Sequence, residues 1–189
     1  MKRLFAAIKI LPDENFINII NDFKRNLNYE KIKWVEPENI HLTLKFFGET
    51  KENLIENICD ALQKSGSNID KFSFNIRNTG IFGSSYNPRV IWFDIDNKKP
   101  IIDLADSISR NLKYAPGFTL KETRQNFVPH LTVGRIKFLN DKKKLQKIVD
   151  NHSNDFIQKV SVDRFYLFES ILQRQGPIYK VIKEFEFNK

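Results

Sequence analysis

The sequence predicts an α+β fold, and three observations carry that prediction. Apolar residues switch repeatedly between a period near two and a period near 3.6. Several short strand-like runs follow one another through turn-rich stretches, without the regular strand and helix alternation of a parallel α/β fold. One short apolar motif, His41-Leu42-Thr43-Leu44, recurs as His130-Leu131-Thr132-Val133, which points to two related halves.

Leu4, Ala6, Ile8 and Ile10 alternate along residues 3–11 and predict a strand, after which Pro12-Asp13 offers a helix start. Phe16, Ile19, Ile20, Phe23 and Leu27 share one face of a helix over residues 13–27. Extended chain resumes at Trp34 and Val35, Pro37 interrupts it, and residues 40–46 alternate as a strand. A second helix fits residues 51–64, with Leu54, Ile55, Ile58, Ala61 and Leu62 in one stripe before the turn-like Ser65-Gly66-Ser67-Asn68.

Residues 72–77 and 90–95 predict strands on either side of a loop composition that contains Gly80, Gly83, Ser84, Ser85, Asn87 and Pro88. Ile101, Ile102, Leu104, Ala105, Ile108 and Leu112 predict a third helix over residues 99–114, ending near Pro116-Gly117, where a boundary between lobes is expected. A strand over 127–136, a short basic helix over 141–150, a single strand over 160–168 and a last strand over 178–187 complete the chain.

At 189 residues the chain can bury a sizeable core, as one domain or as two small lobes sharing an interface. With 41% hydrophobic and 29% charged residues and seventeen Phe, it is neither disordered nor fibrous but has the balance of a soluble globule. Thirty-one Lys and Arg against twenty-three Asp and Glu give a net charge of +8, which favours a polyanionic partner; a chain-wide abundance of Lys accounts for the same figure. The single Cys59 sits in an amphipathic helical pattern, cannot form an internal disulfide, and suits a reducing, cytoplasmic setting. No apolar run approaches the roughly 20 residues of a membrane span, and residues 1–11 alternate and carry Lys9, unlike a signal segment, so no membrane partner is expected.

Alternate strand residues share a face, so His41 with Thr43, and His130 with Thr132, each present an imidazole beside a hydroxyl, while Leu42, Leu44, Leu131 and Val133 face a core. If two such strands lie about a pseudo-two-fold axis, both pairs converge on one groove with a phosphate-sized space between them. Opening a cyclic phosphodiester requires one proton to leave the attacking water and another to reach the departing ribose oxygen. Histidine suits both tasks, because its ordinary pKa is near 6.5. The threonine hydroxyls can donate to the nonbridging phosphate oxygens as charge builds, a scheme that needs neither metal nor cofactor.

A single His-x-Thr is a weak signal, since Thr is common in strands and a lone strand His is usually structural; two copies in matched strands are a strong one. The third histidine, His152, lies in the polar turn-like Asn151-His152-Ser153-Asn154, where exposure is expected, and is left outside the site. No His-x-x-x-His, no Cys pair and no carboxylate cluster with ligand spacing supports a metal site, and Cys59 has no local support as a nucleophile.

These residues resemble the two-histidine phosphoesterases, and within them the RNA 2′,3′-cyclic phosphodiesterases also described as 2′-5′ RNA ligases. Arg3-Leu4-Phe5-Ala6-Ala7-Ile8 is similar to the opening strand of that family, residues 37–49 to its first motif, residues 127–135 to its second, and residues 167–170 and 176–179 to its closing segment. The departures are small: the second motif ends Val133-Gly134-Arg135 where Leu-Ala-Arg is common, and the stretch before Phe127 is polar and rich in Lys. The resemblance implies a bilobal α+β fold with pseudo-two-fold symmetry and a central groove. It also implies metal-independent hydrolysis of a terminal 2′,3′-cyclic phosphate on RNA or a nucleotide to a 2′-phosphate.

Carried over by position, His41 is the expected proton donor to the leaving 3′ oxygen and His130 the expected proton acceptor from water, with Thr43 and Thr132 holding the phosphate. Arg135, beyond the second motif, is a candidate phosphate contact, and Phe5, on the opening strand, a candidate stacking face for substrate. A monomer is expected. The alternatives are an enzyme that cleaves or joins 2′-5′ linkages with the same four residues, and a noncatalytic nucleotide or RNA binder; binding alone does not require a complete acid and base pair.

Overall fold

The structure, a computed structural model, describes residues 1–84, 86–117, 127–174 and 176–188. Its strands are β1 (Lys2–Lys9), β2 (Lys31–Trp34), β3 (His41–Thr50), β4 (Phe72–Ser84), β5 (Asn87–Ile95), β6 (Leu131–Phe138), β7 (Phe156–Val162), β8 (Arg164–Leu172) and β9 (Pro177–Glu186). Its α-helices are α1 (Glu14–Asn26), α2 (Ile55–Gly66), α3 (Lys99–Leu112) and α4 (Lys142–Asn151).

The strands form two antiparallel sheets, ordered β3-β1-β8-β9 and β2-β6-β5-β4-β7. With β2 set aside the orders correspond strand for strand: β3 with β6, β1 with β5, β8 with β4, β9 with β7. The α+β fold is thus built of two pseudo-symmetric halves, and each half opens with the same path of strand, helix and motif strand. The helices are exchanged between the sheets: α2 and α3 pack together on the first, against β9 and β3, while α1 and α4 pack on the second, against β7 and β4.

The helical stripes are buried as their spacing dictates, with Phe16, Ile19, Ile20 and Phe23 of α1 and Ile101, Leu104, Ala105 and Ile108 of α3 in the core. Asp13 caps α1 by accepting the Phe16 N–H at 2.8 Å. The buried Gln158 of β7 locks this start to the second sheet, accepting the Asp13 N–H at 3.1 Å and donating to the Leu11 carbonyl at 2.8 Å. Strand β1 is buried on both faces: Leu4, Ala6 and Ile8 join the main core, and Phe5 and Ala7 form a small cluster with Phe168 on the other side. That second cluster is the floor of the groove.

Three expectations are corrected. The glycine-rich stretch expected as a loop is a long hairpin, since β4 continues to Ser84 and β5 begins at Asn87, with Ser85 outside the described residues. Gly80 lies in this hairpin because it faces Trp92 across the pair, where a Cβ would overlap the indole, and Gly83 holds a positive φ of 117°. The single strand expected over 160–168 is two strands, β7 and β8, which part at Asp163 and enter different sheets. Each sheet also takes strands from both sides of Pro116-Gly117, so that point does not divide the lobes. The polar, Lys-rich stretch before Phe127 lies largely outside the described residues.

Candidate active site

Strands β3 and β6, which carry the two motifs, approach each other across the groove. Leu42, Leu44, Leu131 and Val133 are buried in the core, which turns His41 and Thr43, and likewise His130 and Thr132, to the other side. Thr43 pairs with Ala7 of β1 and Thr132 with Trp92 of β5, so both hydroxyls stand at corresponding places on their sheets.

Both imidazoles are held in the same way. His41 Nδ1 lies 2.6 Å from the Asn39 carbonyl and His130 Nδ1 lies 2.7 Å from the Val128 carbonyl, in each case two residues upstream. A carbonyl only accepts, so Nδ1 carries the proton and Nε2 is left for a ligand. The approaches are stiffened by proline: Pro37 opens a 3-10 turn, Pro37–Asn39, and Pro129 restricts the residue before it. Asn39 is further tied to β9, its Nδ2 donating to the Pro177 carbonyl at 3.2 Å.

The surroundings of the two rings differ. His41 packs on Phe5 at 5.0 Å and edge-on against Tyr179 at 5.1 Å. Burial among these rings is the main force holding its pKa below the usual histidine value; the Asn39 carbonyl opposes it, and the positive charges of Arg135 and His130 add to it. His130 instead meets the edge of Phe82 at 4.7 Å, and Phe82 stacks on Trp92 at 4.9 Å.

Two cavities meet along this line. One, of about 960 Å³, is lined by Thr43, Lys45, Phe46, Phe82, Phe127 and His130 together with Asp106 and Ser109 of α3. The other, of about 410 Å³, contains Arg3, His41, Arg135, Ser170 and Tyr179. Phe46 lines both and is 66% exposed, so it forms the ridge between them.

Of the residues singled out in the sequence, Thr43 and His130 line the larger cavity, His41 and the exposed Arg135 line the smaller one, and Thr132 holds the place on β6 that corresponds to Thr43 on β3. Phe5 is placed differently from a substrate platform. It is 3% exposed and enclosed by His41, Phe46, Phe168 and Tyr179, so its ring backs His41.

The exposed aromatic residue on the groove is Phe46, which strict alternation puts on the core face. A register shift between Ala6 and Ala7 leaves Thr43 opposite Ala7, Lys45 opposite Ala6 and Phe46 opposite Phe5, which carries Phe46 onto the groove side. Tyr179, Trp92, Phe82 and Arg3 were likewise not marked by the sequence patterns, since only the pairing of distant strands brings them to the histidines.

His152 is not the exposed turn residue expected. It stacks on Phe23 at 5.4 Å, and its Nδ1 and Nε2 lie 2.7 Å from Asp155 and 3.1 Å from Asp22, tying the end of α4 to α1. Cys59 is buried in α2, where burial raises its thiol pKa. Among the described residues no three His, Cys, Asp or Glu side chains gather in a set that could hold a metal ion, and no helix is long and apolar enough to cross a membrane.

Comparison with known proteins agrees with this architecture. The family model for LigT-like phosphoesterases matches residues 8–92 and again residues 95–179, one match around each histidine motif. The chain is 37% identical over 154 residues to the RNA 2′,3′-cyclic phosphodiesterase of Thermotoga maritima, covering 82% of this chain and 79% of that protein. It is 35% identical over 182 residues to the enzyme of the same name from Methanocaldococcus jannaschii, covering 96% and 99%. The fold is shared with a crystal structure from Thermus thermophilus, at a TM-score of 0.77 and 23% identity over 98% of this chain and 97% of that one. It is also shared with E. coli LigT complexed with 3′-AMP, at a TM-score of 0.76 and 22% identity over 100% and 99%. With its two histidine motifs, its paired sheets and these relatives, the chain belongs to the LigT-like, two-histidine phosphoesterase family.

Proposed function

We propose that this protein is an RNA 2′,3′-cyclic phosphodiesterase that opens a terminal cyclic phosphate to a 2′-phosphomonoester. The observation that carries this reading is the matched pair of histidines, each with Nδ1 fixed by a backbone carbonyl and each beside a threonine on one groove. The names of the relatives from Thermotoga maritima and Methanocaldococcus jannaschii support the same substrate.

The phosphate sits between the two strands, with the Thr43 and Thr132 hydroxyls donating to its nonbridging oxygens. His130 Nε2 takes a proton from water as the water oxygen attacks phosphorus. The bond from phosphorus to the 3′ oxygen breaks, and His41 Nε2–H delivers a proton to that oxygen. The 2′-phosphomonoester leaves with His41 neutral and His130 charged, and exchange with solvent resets both.

Burial makes the charge on His41 depend on what occupies the groove. The apolar rings around it disfavour the imidazolium in the empty groove, whereas an anionic phosphate stabilises it. Bound phosphate therefore favours the charged form of His41 more than the empty groove does. No metal or cofactor enters the scheme, every group it uses comes from one chain, which suits a monomer, and the buried lone Cys59 suits a reducing cytoplasm. The net charge of +8 favours the approach of RNA.

RNA ending in a 2′,3′-cyclic phosphate, incubated with the protein and a chelator, tests the reading. The expected product is the 2′-phosphate, lost in His41→Ala and in His130→Ala. Turnover that survives both substitutions, or no turnover by the wild type, overturns it. Cleavage or joining of a 2′-5′ linkage in place of cyclic-end hydrolysis would move the same four residues to the related chemistry.

A further inference from the structure

We propose that Asp106 and Lys45 read the Watson–Crick edge of the terminal base and select guanine. The inference rests on the diesterase reading and adds a substrate class to it: RNA that ends in guanosine 2′,3′-cyclic phosphate.

Asp106 lies on α3 and Lys45 on β3, and both line the cavity of about 960 Å³ that also contains Thr43 and His130. A base attached to the reacting ribose enters that cavity, whose walls include the rings of Phe46, Phe82 and Phe127. Rings serve the faces of a base; its edge needs polar partners. Asp106 and Ser109 stand three residues apart on one face of α3. The register shift in β3 brings Lys45 toward them. Lys45 stands opposite Ala6, on the core face of β1, and so turns to the side where α3 packs, while its neighbour Phe46 stands opposite Phe5 and turns to the groove.

Both charges are open. Among the described residues Asp106 makes no ion pair, although Arg110 stands one helical turn beyond it, and Lys45 makes none either. Lys45 is half-buried, and burial lowers its pKa with no carboxylate acting in the opposite sense, so an acceptor brought to its ammonium by a ligand is favoured. The two side chains share a cavity without closing on each other, which leaves an acceptor and a donor for one ligand edge.

That pattern fits guanine. A carboxylate only accepts, and guanine alone of the four bases presents two adjacent N–H donors, N1–H and the 2-amino group, with the O6 acceptor beside them for an ammonium. Adenine and cytosine place a ring acceptor next to the amino group, and uracil flanks its single N–H with two carbonyls. Each of these sets an acceptor against the carboxylate.

The 2′,3′-cyclic phosphates of guanosine, adenosine, cytidine and uridine test the assignment. We expect wild type to favour guanosine by roughly tenfold or more in kcat/KM, mainly through KM. Asp106→Asn alters an exposed side chain and should abolish that preference. It should also raise the xanthosine substrate relative to guanosine by roughly tenfold or more, because xanthine carries a 2-oxo group that the new amide meets as a donor. A merely structural role for Asp106 would move all substrates together. Preference for another base or for none in wild type overturns the proposal. So does a guanosine preference that survives Asp106→Asn, or a variant in which xanthosine falls as far as guanosine.

Binding keeps this test separate from the diesterase reading. Guanosine 2′-phosphate should bind wild type more tightly than adenosine 2′-phosphate, and Asp106→Asn and Lys45→Met should each narrow the difference; its persistence in either variant overturns the proposal. If wild type hydrolyses none of the substrates but retains that binding difference, the activity reading fails and the selection of guanine stands. If hydrolysis proceeds and the binding difference is absent, the selection of guanine fails alone.

Discussion

Phe46 and Arg135 occupy equivalent places in the two halves: each lies three residues past a motif threonine, and in each a register shift turns it onto the groove face. In β3 the shift leaves Thr43 opposite Ala7 and Phe46 opposite Phe5; in β6 it leaves Thr132 opposite Trp92 and Arg135 opposite Val90. One device, repeated, supplies an exposed ring on one side and a cation on the other. The histidines and threonines are duplicated, whereas these two residues differ and give the groove a direction: an aromatic wall on one side and a charged wall on the other.

The proposed mechanism divides the four motif residues into proton carriers and phosphate holders, and their variants should separate accordingly. His41→Ala and His130→Ala should each lower kcat about 10²- to 10⁴-fold, and the double variant should fall little further, because the two act as a unit. Thr43→Val and Thr132→Val should each cost on the order of 10²-fold as a donor to the phosphate oxygens is lost. Steady-state kinetics on a cyclic-ended RNA checks this; fully additive losses from the two histidines would count against concerted acid and base work.

Phe46 and Phe5 touch, with ring centroids 6.0 Å apart, yet should respond in opposite ways. Phe46→Ala removes a largely exposed ring and should raise KM about fivefold to a hundredfold, the range of a base stacked on an aromatic side chain, with little change in kcat or stability. Phe5→Ala opens a void under His41 and should cost about 3–5 kcal/mol of stability and most of kcat. Denaturant melts beside the kinetics decide between them. A stability loss in Phe46→Ala with unchanged KM would sink the base-platform role.

Burial of His41 sets the pH response. Its folded pKa lies below the ordinary 6.5, so between those two values the unfolded chain binds more protons than the folded one. The contribution to stability is complete above 6.5 and is lost as pH falls through the folded value. Urea unfolding should therefore show stability rising with pH across that window, with a smaller rise in His41→Gln. If His41 is the acid, kcat/KM should decline on the alkaline side from a pH below 6.5 as the free enzyme loses this proton, and the limb in kcat should lie higher because bound phosphate restores the charge. Equal limbs in the two profiles would refute the coupling of phosphate to His41.

The sequence disclosed some of these relations and hid others for definite reasons. The helices were legible because their apolar stripes are continuous, and Asp13 marked the first of them. The motif threonines were legible because i and i+2 lie within one unshifted stretch of strand. Phe46 was not, because the shift between Ala6 and Ala7 reverses the facing of Lys45 and Phe46 before a second shift between Leu4 and Phe5 restores it, and nothing local in Thr43-Leu44-Lys45-Phe46 announces it. Phe5 read as a free ring because alternation alone cannot tell that the far face of β1 is also covered, by Phe168 and Tyr179. The parting of β7 from β8 at Asp163 left the apolar period nearly intact, so the passage between sheets carried no signal.

The glycine mistaken for a turn residue yields the last expectation. Gly80 stands directly opposite Trp92, and an added Cβ would overlap the indole, which in turn stacks on Phe82, the ring against His130. Gly80→Ala must therefore push Trp92 and Phe82 toward His130. We expect about 1–3 kcal/mol of destabilisation, the cost of overpacking, and roughly a tenfold loss of kcat. Because the strain lies between two named groups, it should be relieved by shrinking one of them. Trp92→Phe added to Gly80→Ala should recover most of both losses, and since the buried Trp92 Nε1 has no hydrogen-bond partner among the described residues, removing it forfeits little. A double variant no better than Gly80→Ala alone would show that Gly80 serves the hairpin backbone and not the positioning of His130.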